Sequence, residues 1–269
     1  IPAVDYSEGV KTAYPQGVQA KEFILPKELL EQDCVISLSK MKTHALERIT
    51  GAVKNSYGFV YGFHKAKGHT QYPSADSFAR MLIDLNKCVA PKLYVMDGIV
   101  AMEGNGPGSG DPVPMNVLLM STDPVALDSV FSRLVYLKPE MVPTNYHGEK
   151  MGLGTWKEEE ITLLTPDGEI SMAEAVKKYG NPAFNVDRTE VRKNIWTRMA
   201  GALNIFQKKP YIEADKCVRC GICVQSCPVP GKAVDFRKGK GKPPVYDYRK
   251  CIRCFCCQEM CPKKAIKVK

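Results

Sequence analysis

Apolar and polar positions alternate along the first 165 residues in a way that predicts both helices and strands. Apolar residues at near-helical spacing follow a start signal at Ser74 and predict a helix over Ser74–Val89. Lys92–Met102 and Asn116–Met120 are apolar enough to be strands. Thr122-Asp123-Pro124 supplies an N-cap and a first-turn proline for a helix to about Leu137. Shorter helices are predicted over Lys27–Gln32 and Thr144–Leu153, and shorter strands over Cys34–Ser39 and Ile161–Leu164.

This alternation predicts an α/β fold class for residues 1–190, namely a three-layer domain with a mostly parallel or mixed sheet. Residues 191–210 are predicted to be a helical linker that contains a helix over Asn194–Phe206. A smaller unit follows over residues 211–269, where we expect an α+β ferredoxin-type two-cluster domain. A chain of 269 residues can bury enough surface for one large and one small domain.

Two cysteine runs of identical spacing occupy the smaller unit. Cys217-x2-Cys220-x2-Cys223-x3-Cys227-Pro228 recurs as Cys251-x2-Cys254-x2-Cys257-x3-Cys261-Pro262. In bacterial ferredoxins with this spacing, the fourth cysteine of each run binds the other cluster. The spacing therefore predicts two [4Fe-4S] clusters, one held by Cys217, Cys220, Cys223 and Cys261 and the other by Cys251, Cys254, Cys257 and Cys227. A zinc ribbon or disulfides are the alternative.

Three cysteines remain outside these runs. Cys34 and Cys88 are predicted to be core positions, and Cys256, at the repeat position of Ile222, is predicted to be a small apolar residue beside a cluster. Because thiolate ligands require a reducing compartment, we expect a cytoplasmic protein of an anaerobe or microaerobe. No signal peptide is recognisable, and no apolar run is long enough to span a bilayer.

The net charge of +9 is concentrated in the smaller unit. Residues 211–269 contain 14 Lys/Arg and 5 Asp/Glu, whereas residues 1–210 contain 24 of each. This basic surface predicts an acidic redox partner, such as a ferredoxin, a flavodoxin or a partner oxidoreductase. Nucleic acid is disfavoured because the basic run 237–242 lacks a series of stacking aromatics, and we interpret that run as a solvated hairpin tip.

Four blocks of the larger unit resemble one family. They are Ser39–His44, Ile49–Asn55, Met96–Pro107 and Asp123–Asp128. Together they resemble the signature blocks of the prokaryotic domain-of-unknown-function family 362 over roughly residues 20–165. The resemblance implies a frequent association with a two-cluster ferredoxin module. The family normally has a longer N-terminal segment, and its chemistry is not established.

Basic residues and histidines concentrate in the same blocks. Residues 40–69 contain six Lys/Arg, one acid and three of the four histidines, and Lys40, Lys42 and His44 alternate along a predicted strand. A solvated basic loop is the alternative to an anion site. We expect Lys42 and Lys54 to neutralise a small anionic ligand and a histidine to deliver protons. The predicted catalytic residues are His44, His69 and Lys42, and the predicted substrate-binding residues are Lys40, Lys42, Lys54, Asn55 and Glu103.

These features predict an iron-sulfur electron-transfer protein. The first hypothesis is an oxidoreductase in which the ferredoxin unit supplies electrons to a small anionic substrate or a bound metal at the Lys/His site. The alternative is a non-catalytic electron-carrier subunit or maturation factor that docks to a partner oxidoreductase. Whether the protein is an enzyme stays open at this point.

Overall fold

The structure of the protein is a computed structural model that describes residues 5–62, 64–190 and 209–268. The side chains of residues 66 and 67 are also outside the description. The predicted helical linker and the helix over Asn194–Phe206 therefore fall almost wholly outside the described residues. The predicted domain limits at 190 and 211 stay predictions.

A four-stranded mixed sheet organises the larger part of the chain. It follows a separate antiparallel hairpin of β1 (Gly9–Ala13) and β2 (Glu22–Pro26). The strands of the sheet are β3 (Ile36–His44), β4 (Arg48–Thr50), β5 (Leu93–Glu103) and β6 (Asp111–Ser121), in the order β4-β3-β5-β6. Strands β3 and β5 are parallel, and the two edge strands pair antiparallel. The predicted mixed sheet is confirmed.

Helices connect these strands and close the domain. They are α1 (Lys27–Leu30), α2 (Ala52–Asn55), α3 (His64–Gln71), α4 (Ala75–Val89), α5 (Pro124–Leu134), α6 (Pro143–Lys150) and α7 (Met172–Tyr179). Single 3₁₀ turns lie at Ser56–Phe59, Pro139–Met141 and Glu158–Glu160, and a hairpin pairs β7 (Leu163–Thr165) with β8 (Gly168–Ile170). Ser74 and Asp123 cap α4 and α5 as predicted, because each side chain accepts backbone N–H groups of the first turn.

One face of the sheet is buried against helices. Met41, Met96 and Val117 point to this face and join the same core as Phe131 and Leu134 of α5. The opposite face is exposed: Leu38 is 71% and Met120 64% exposed. Within the described residues nothing covers these apolar side chains, so a third layer stays a prediction.

Two close approaches bring the distant blocks of the domain together. Asp128 of α5 is buried and accepts from the backbone N–H groups of Ala52 and Val53 at 2.5 and 3.1 Å. A side chain at Gly51 would collide with Asp128, since a Cβ there would lie 1.9 Å from Oδ1. The start of α2 is therefore fixed against α5, and this contact places the end of α2, with Lys54, beside β3 and β4.

The smaller part has two halves of similar design. Its elements are β9 (Pro210–Ile212), α8 (Ile222–Gln225), β10 (Val234–Asp235), β11 (Val245–Tyr246), α9 (Cys256–Glu259) and β12 (Ile266–Val268). β9 pairs with β12 and β10 with β11, both antiparallel. Each cysteine run contributes one short helix. Among the described helices of the whole chain, none has the length and apolar character that crossing a bilayer requires.

The cysteines outside the two runs differ in burial. Cys256 is buried, in agreement with the predicted small apolar position, and Cys88 is partly buried against the core of α4. Cys34 is exposed, so its predicted core position is wrong. It lies in the turn before β3, where the chain is still at the surface.

Candidate functional site

The cysteines of the two runs line two separate cavities. The first, with about 360 Å³ of atom-free space, is lined by Cys217, Cys220, Cys223 and Cys261. The second, with about 290 Å³, is lined by Cys227, Cys251, Cys254 and Cys257. We call them the upstream cavity and the downstream cavity. Each contains three thiols of one run and the fourth thiol of the other run.

The thiols in each cavity influence one another's protonation. Burial, followed by the nearby thiols of Cys217, Cys220 and Cys261, raises the pKa of Cys223 to about 11. Burial is also the main cause of the raised pKa of Cys251 in the downstream cavity. Several thiolates crowded into one buried space repel each other unless a cation lies between them. Each cavity thus favours a positively charged metal centre.

Each cavity offers four thiols as possible metal ligands. A four-iron cube binds each of four thiolates through a different iron. The four thiols of each cavity therefore fit a cube, with one thiol for each iron.

Equivalent hydrogen bonds reach the sulfurs in the two halves. The backbone N–H of Ala233 donates to Cys227 Sγ at 3.3 Å, and that of Ala265 donates to Cys261 Sγ at 3.3 Å. Such bonds stabilise a thiolate and tune a cluster's potential. The downstream cavity has one more donor, since the Tyr246 hydroxyl lies 3.1 Å from a third sulfur, that of Cys257.

A loop of the α/β domain holds the downstream half of the ferredoxin-type domain. Gln258 donates from Nε2 to the carbonyl oxygens of Asn105 and Gly106 at 2.8 and 2.9 Å. Asn105 in turn donates from Nδ2 to the Ile266 carbonyl at 3.0 Å. The glycine-rich loop over 104–110 is thus a contact between the two domains.

His44 is buried at this junction with a defined tautomer. Its Nδ1 accepts from the backbone N–H groups of Leu46 and Glu47, both at 3.1 Å, so it carries no proton. Its Nε2 therefore donates to Glu259 Oε1 at 3.0 Å. Burial, followed by the positive charge of Lys54, lowers the pKa of His44 to about 4. A neutral histidine without solvent exposure holds Glu259 in place, which argues against the predicted proton delivery by His44.

Glu259 is an acidic group beside Lys42 and Lys54. Burial would raise its pKa, but the charge of Lys54 and the hydrogen bond from His44 outweigh burial and lower it. The pKa of Lys42 is lowered, first by burial and then by Lys54. In the part of the chain that the structure describes, the ammonium groups of Lys42 and Lys54 make no hydrogen bond or ion pair. The site therefore has an excess of positive charge that one carboxylate does not balance.

Tyr57 lies between the lysines and the downstream thiols. The Lys54 ammonium is 5.7 Å from the centre of the Tyr57 ring. Burial, followed by the nearby groups Cys256 and Glu259, raises the pKa of Tyr57. Cys256 in turn shares a hydrogen bond with Cys254 of the downstream cavity. The lysine site and the downstream cavity are thus neighbours.

His69 lies behind Tyr57 in an apolar stack. Its ring is 4.4 Å from that of Phe78 and nearly parallel to it, and it meets Tyr57 edge-on at 5.5 Å. Burial is the main cause that lowers the pKa of His69 to about 3. Nδ1 of His69 is buried without a hydrogen-bond partner in the described residues. This packing, like that of His44, argues against a proton donor near neutral pH.

Glu47 is a second buried carboxyl group near Lys54. Neither of its oxygens has a hydrogen-bond partner among the described residues, and the residue is fully buried. Burial raises its pKa well above the ordinary value, although Lys54 opposes the shift. The neutral form of Glu47 is favoured, so it adds little negative charge to the lysine site.

Three predicted substrate-binding residues do not join this site. Lys40 pairs with Asp97 at 2.6 Å on the exposed face, because these two residues are register neighbours on β3 and β5. Asn55 donates to a backbone carbonyl of β3 at 2.9 Å. Glu103 accepts from the backbone N–H of Asn185 at 2.7 Å. Each of these polar groups already has a partner in the structure, and their substrate-binding roles stay predictions.

The structure adds residues that sequence reasoning missed. Glu259 and Tyr57 belong to the site, and Cys256 links it to the downstream cavity. Glu259 lies more than 200 residues from His44 along the chain. In the sequence, the one signal for Glu259 is its position between two predicted ligand cysteines. That position does not reveal that Glu259 faces the α/β domain.

Comparisons with known proteins agree with this two-part architecture. Residues 1–133 match the family described as "Domain of unknown function (DUF362)", and residues 209–262 match the 4Fe-4S dicluster domain. A thylakoid-associated protein of Synechocystis, sll1697, is 42% identical over 130 residues, which are 48% of this chain and 40% of that relative. No solved structure gives a significant match. Residues 1–133 of the chain are thus similar to the DUF362 family, and residues 209–262 are similar to a ferredoxin-type 4Fe-4S domain.

Proposed function

We propose that this protein is an electron-transfer protein with two [4Fe-4S] clusters and an anion site at the junction of its domains. The upstream cluster would be held by Cys217, Cys220, Cys223 and Cys261, and the downstream cluster by Cys227, Cys251, Cys254 and Cys257. When bound, such clusters supply one-electron transfer at low potential. The grouping of the thiols in two cavities supports this assignment.

One observation carries the anion site. Lys42 and Lys54 are partly buried, unpaired among the described residues, and adjacent to the downstream cavity through Tyr57. Desolvated cations are costly unless an anion compensates them. We infer that a small anionic substrate binds to these two ammonium groups, and that the protein is a reductase for it.

The surrounding residues position this site. His44 holds the Glu259 carboxylate, and Glu259 in turn orients Lys54 through its charge. Tyr57 and His69 form an apolar wall that excludes water on the side of α3. In this proposal Lys42 and Lys54 bind substrate, and His44 and His69 are positioning residues.

An electron-carrier subunit or maturation factor is the second candidate. The specific observation in its favour is the complete burial of His44, whose ring contacts Glu259 at the junction. Lys42 and Lys54 would then compensate Glu259 and the thiolates, and no substrate would bind. Reduced thiols favour a cytoplasmic location in either case.

Mass spectrometry of small molecules released from anaerobically purified protein separates the two candidates. We expect an anion to be released from wild type and to be depleted about 10- to 100-fold in Lys42→Ala and Lys54→Ala, as expected for loss of a charge-assisted contact. Lys40→Ala is the matched control, because its ammonium pairs with Asp97 outside the site. All four proteins should contain equal iron. Equal anion release from all four proteins, or no release from wild type, would contradict the anion site and leave the electron-carrier candidate.

A further inference from the structure

We infer that an acidic redox protein docks on the surface around the upstream cavity, formed by Val218, Arg219, Cys220, Pro262 and Lys263. We call this surface the upstream face. The inference rests on the proposed function, which requires an electron donor, and it adds the place at which that donor binds. Three observations support it: the exposure of the upstream thiols, the contacts that cover the downstream half, and the positive charge of the upstream face.

The upstream cavity has the more exposed set of thiols. Cys220 is exposed, Cys217 and Cys261 are half-buried, and Cys223 is buried. In the downstream cavity Cys251 is half-buried and the other three thiols are buried. Electron transfer between proteins requires a short separation of the redox centres, so a donor gains most by binding where thiols reach the surface.

The downstream half is also covered by the α/β domain. Gln258 donates to the loop over 104–110, and Glu259 accepts a hydrogen bond from His44. These contacts leave the upstream half as the more accessible side of the ferredoxin-type domain. A donor can therefore reach the upstream thiols without separating the two domains.

Charge and apolar area on the upstream face suit an acidic partner. Arg219 and Lys263 line the cavity, are exposed, and make no hydrogen bond or ion pair within the described residues. Val218 between them is 53% exposed. No acidic residue lines this cavity in the described part of the chain. An apolar centre with unpaired cations favours a partner whose apolar patch is ringed by carboxylates.

The basic hairpin over 237–242 is the competing surface. It holds four basic residues, but Arg237 already pairs with Asp247 at 3.4 Å. None of these residues lines either cavity. We therefore expect these residues to add long-range attraction and no direct contact with the ligand thiols.

Binding measured by calorimetry tests the location. The probes are an acidic flavodoxin and an acidic [2Fe–2S] ferredoxin, each titrated into anaerobic holoprotein at about 20 and 200 mM salt. Arg219→Glu/Lys263→Glu should raise the Kd of the probe that binds by about tenfold or more at low salt and flatten its salt dependence. Lys238→Glu/Lys240→Glu changes the net charge equally and should alter the Kd by about twofold at most.

The outcomes are distinguishable. An equal or larger effect of the hairpin variant would overturn the upstream face while leaving an acidic partner in place. Binding of neither probe by wild type at low salt would overturn the acidic partner itself. If Arg219→Glu/Lys263→Glu loads less iron than wild type, the milder variant Arg219→Gln/Lys263→Gln is used in its place. We expect it to lose less affinity for the probe than the Glu variant, and an unchanged affinity would contradict the inference. Failure of the proposed function would appear separately, in iron content and anion release.

Discussion

Pairs of cysteine substitutions separate crossed from uncrossed cluster ligation. Cys217 and Cys261 belong to different runs but line the same cavity, whereas Cys217 and Cys227 belong to the same run but line different cavities. Crossed ligation predicts that Cys217→Ala/Cys261→Ala damages one cluster and that Cys217→Ala/Cys227→Ala damages both. Uncrossed ligation predicts the reverse.

The expected iron content of each variant follows from the four thiols in each cavity. Wild type should contain about eight iron and eight sulfide per chain, and each cluster accounts for about four of each. We expect about four iron in Cys217→Ala/Cys261→Ala and close to none in Cys217→Ala/Cys227→Ala. The single variant Cys227→Ala should keep about four, because the upstream cavity stays complete.

Iron and acid-labile sulfide analysis after anaerobic purification measures these values. Cys256→Ala is the matched control, since this thiol is buried nearby but lines neither cavity, and it should keep about eight iron. Cys254 is unsuitable for the test because Cys256 shares a hydrogen bond with it and offers a substitute ligand. About four iron in Cys217→Ala/Cys227→Ala with none in Cys217→Ala/Cys261→Ala would refute crossed ligation. Zinc in place of iron would refute the iron–sulfur assignment altogether.

Other predictions concern the α/β domain. Asp128→Ala should lower the free energy of unfolding by about 2–4 kcal/mol, because two buried backbone N–H groups lose their acceptor, and thermal unfolding followed by circular dichroism should show it. Gly51→Ala should be at least as damaging in the same assay, since its Cβ would overlap the Asp128 carboxylate, and a stable variant would contradict the close approach. His69 has a lowered pKa of about 3, so its contribution to stability is complete above pH 6.5 and is lost as the pH falls toward 3. From pH 7 to 5.5 this loss is about 1.3 kcal/mol, and His69→Gln should have a thermal midpoint that falls about 3–5 °C less than that of wild type.

The elements with strong local signals were predictable from the sequence. Helices α4 and α5 begin where Ser74 and Asp123 cap them, because a side-chain acceptor at the N-cap acts within one turn. Strand β5 was found within one residue at each end, since this central strand is apolar at most of its positions. The hairpin of β1 and β2, strand β4 and helices α3 and α7 were not predicted. α3 contains mostly polar residues, so its apolar periodicity is weak.

The candidate site was predictable only in part, because a position on a strand does not reveal which side chains it will meet. Lys40 and Lys42 both alternate with buried residues of β3, as expected, but Lys40 pairs with Asp97, its neighbour on β5. Lys42 and Lys54 do lie near each other, because the charge of Lys54 contributes to the lowered pKa of Lys42. Glu259 could not be predicted, because no sequence rule states which face of a second domain meets the first.

In the proposed arrangement, the lysine site lies close enough to the downstream cluster for the charge of Lys54 to change the reduction potential of that cluster. A unit charge on the order of 10 Å from a cluster, at an effective dielectric constant of about 20, contributes about 1.7 kcal/mol, or roughly 70 mV for one electron. Removing the Lys54 charge should therefore make reduction of the downstream cluster harder. The most direct measurement is the midpoint potential of that cluster in Lys54→Met and in the control Lys40→Met, by spectroelectrochemical titration in the Cys217→Ala/Cys261→Ala background. We predict that the midpoint potential falls by several tens of millivolts in Lys54→Met and is unchanged in Lys40→Met. Equal potentials in the two variants would contradict this arrangement.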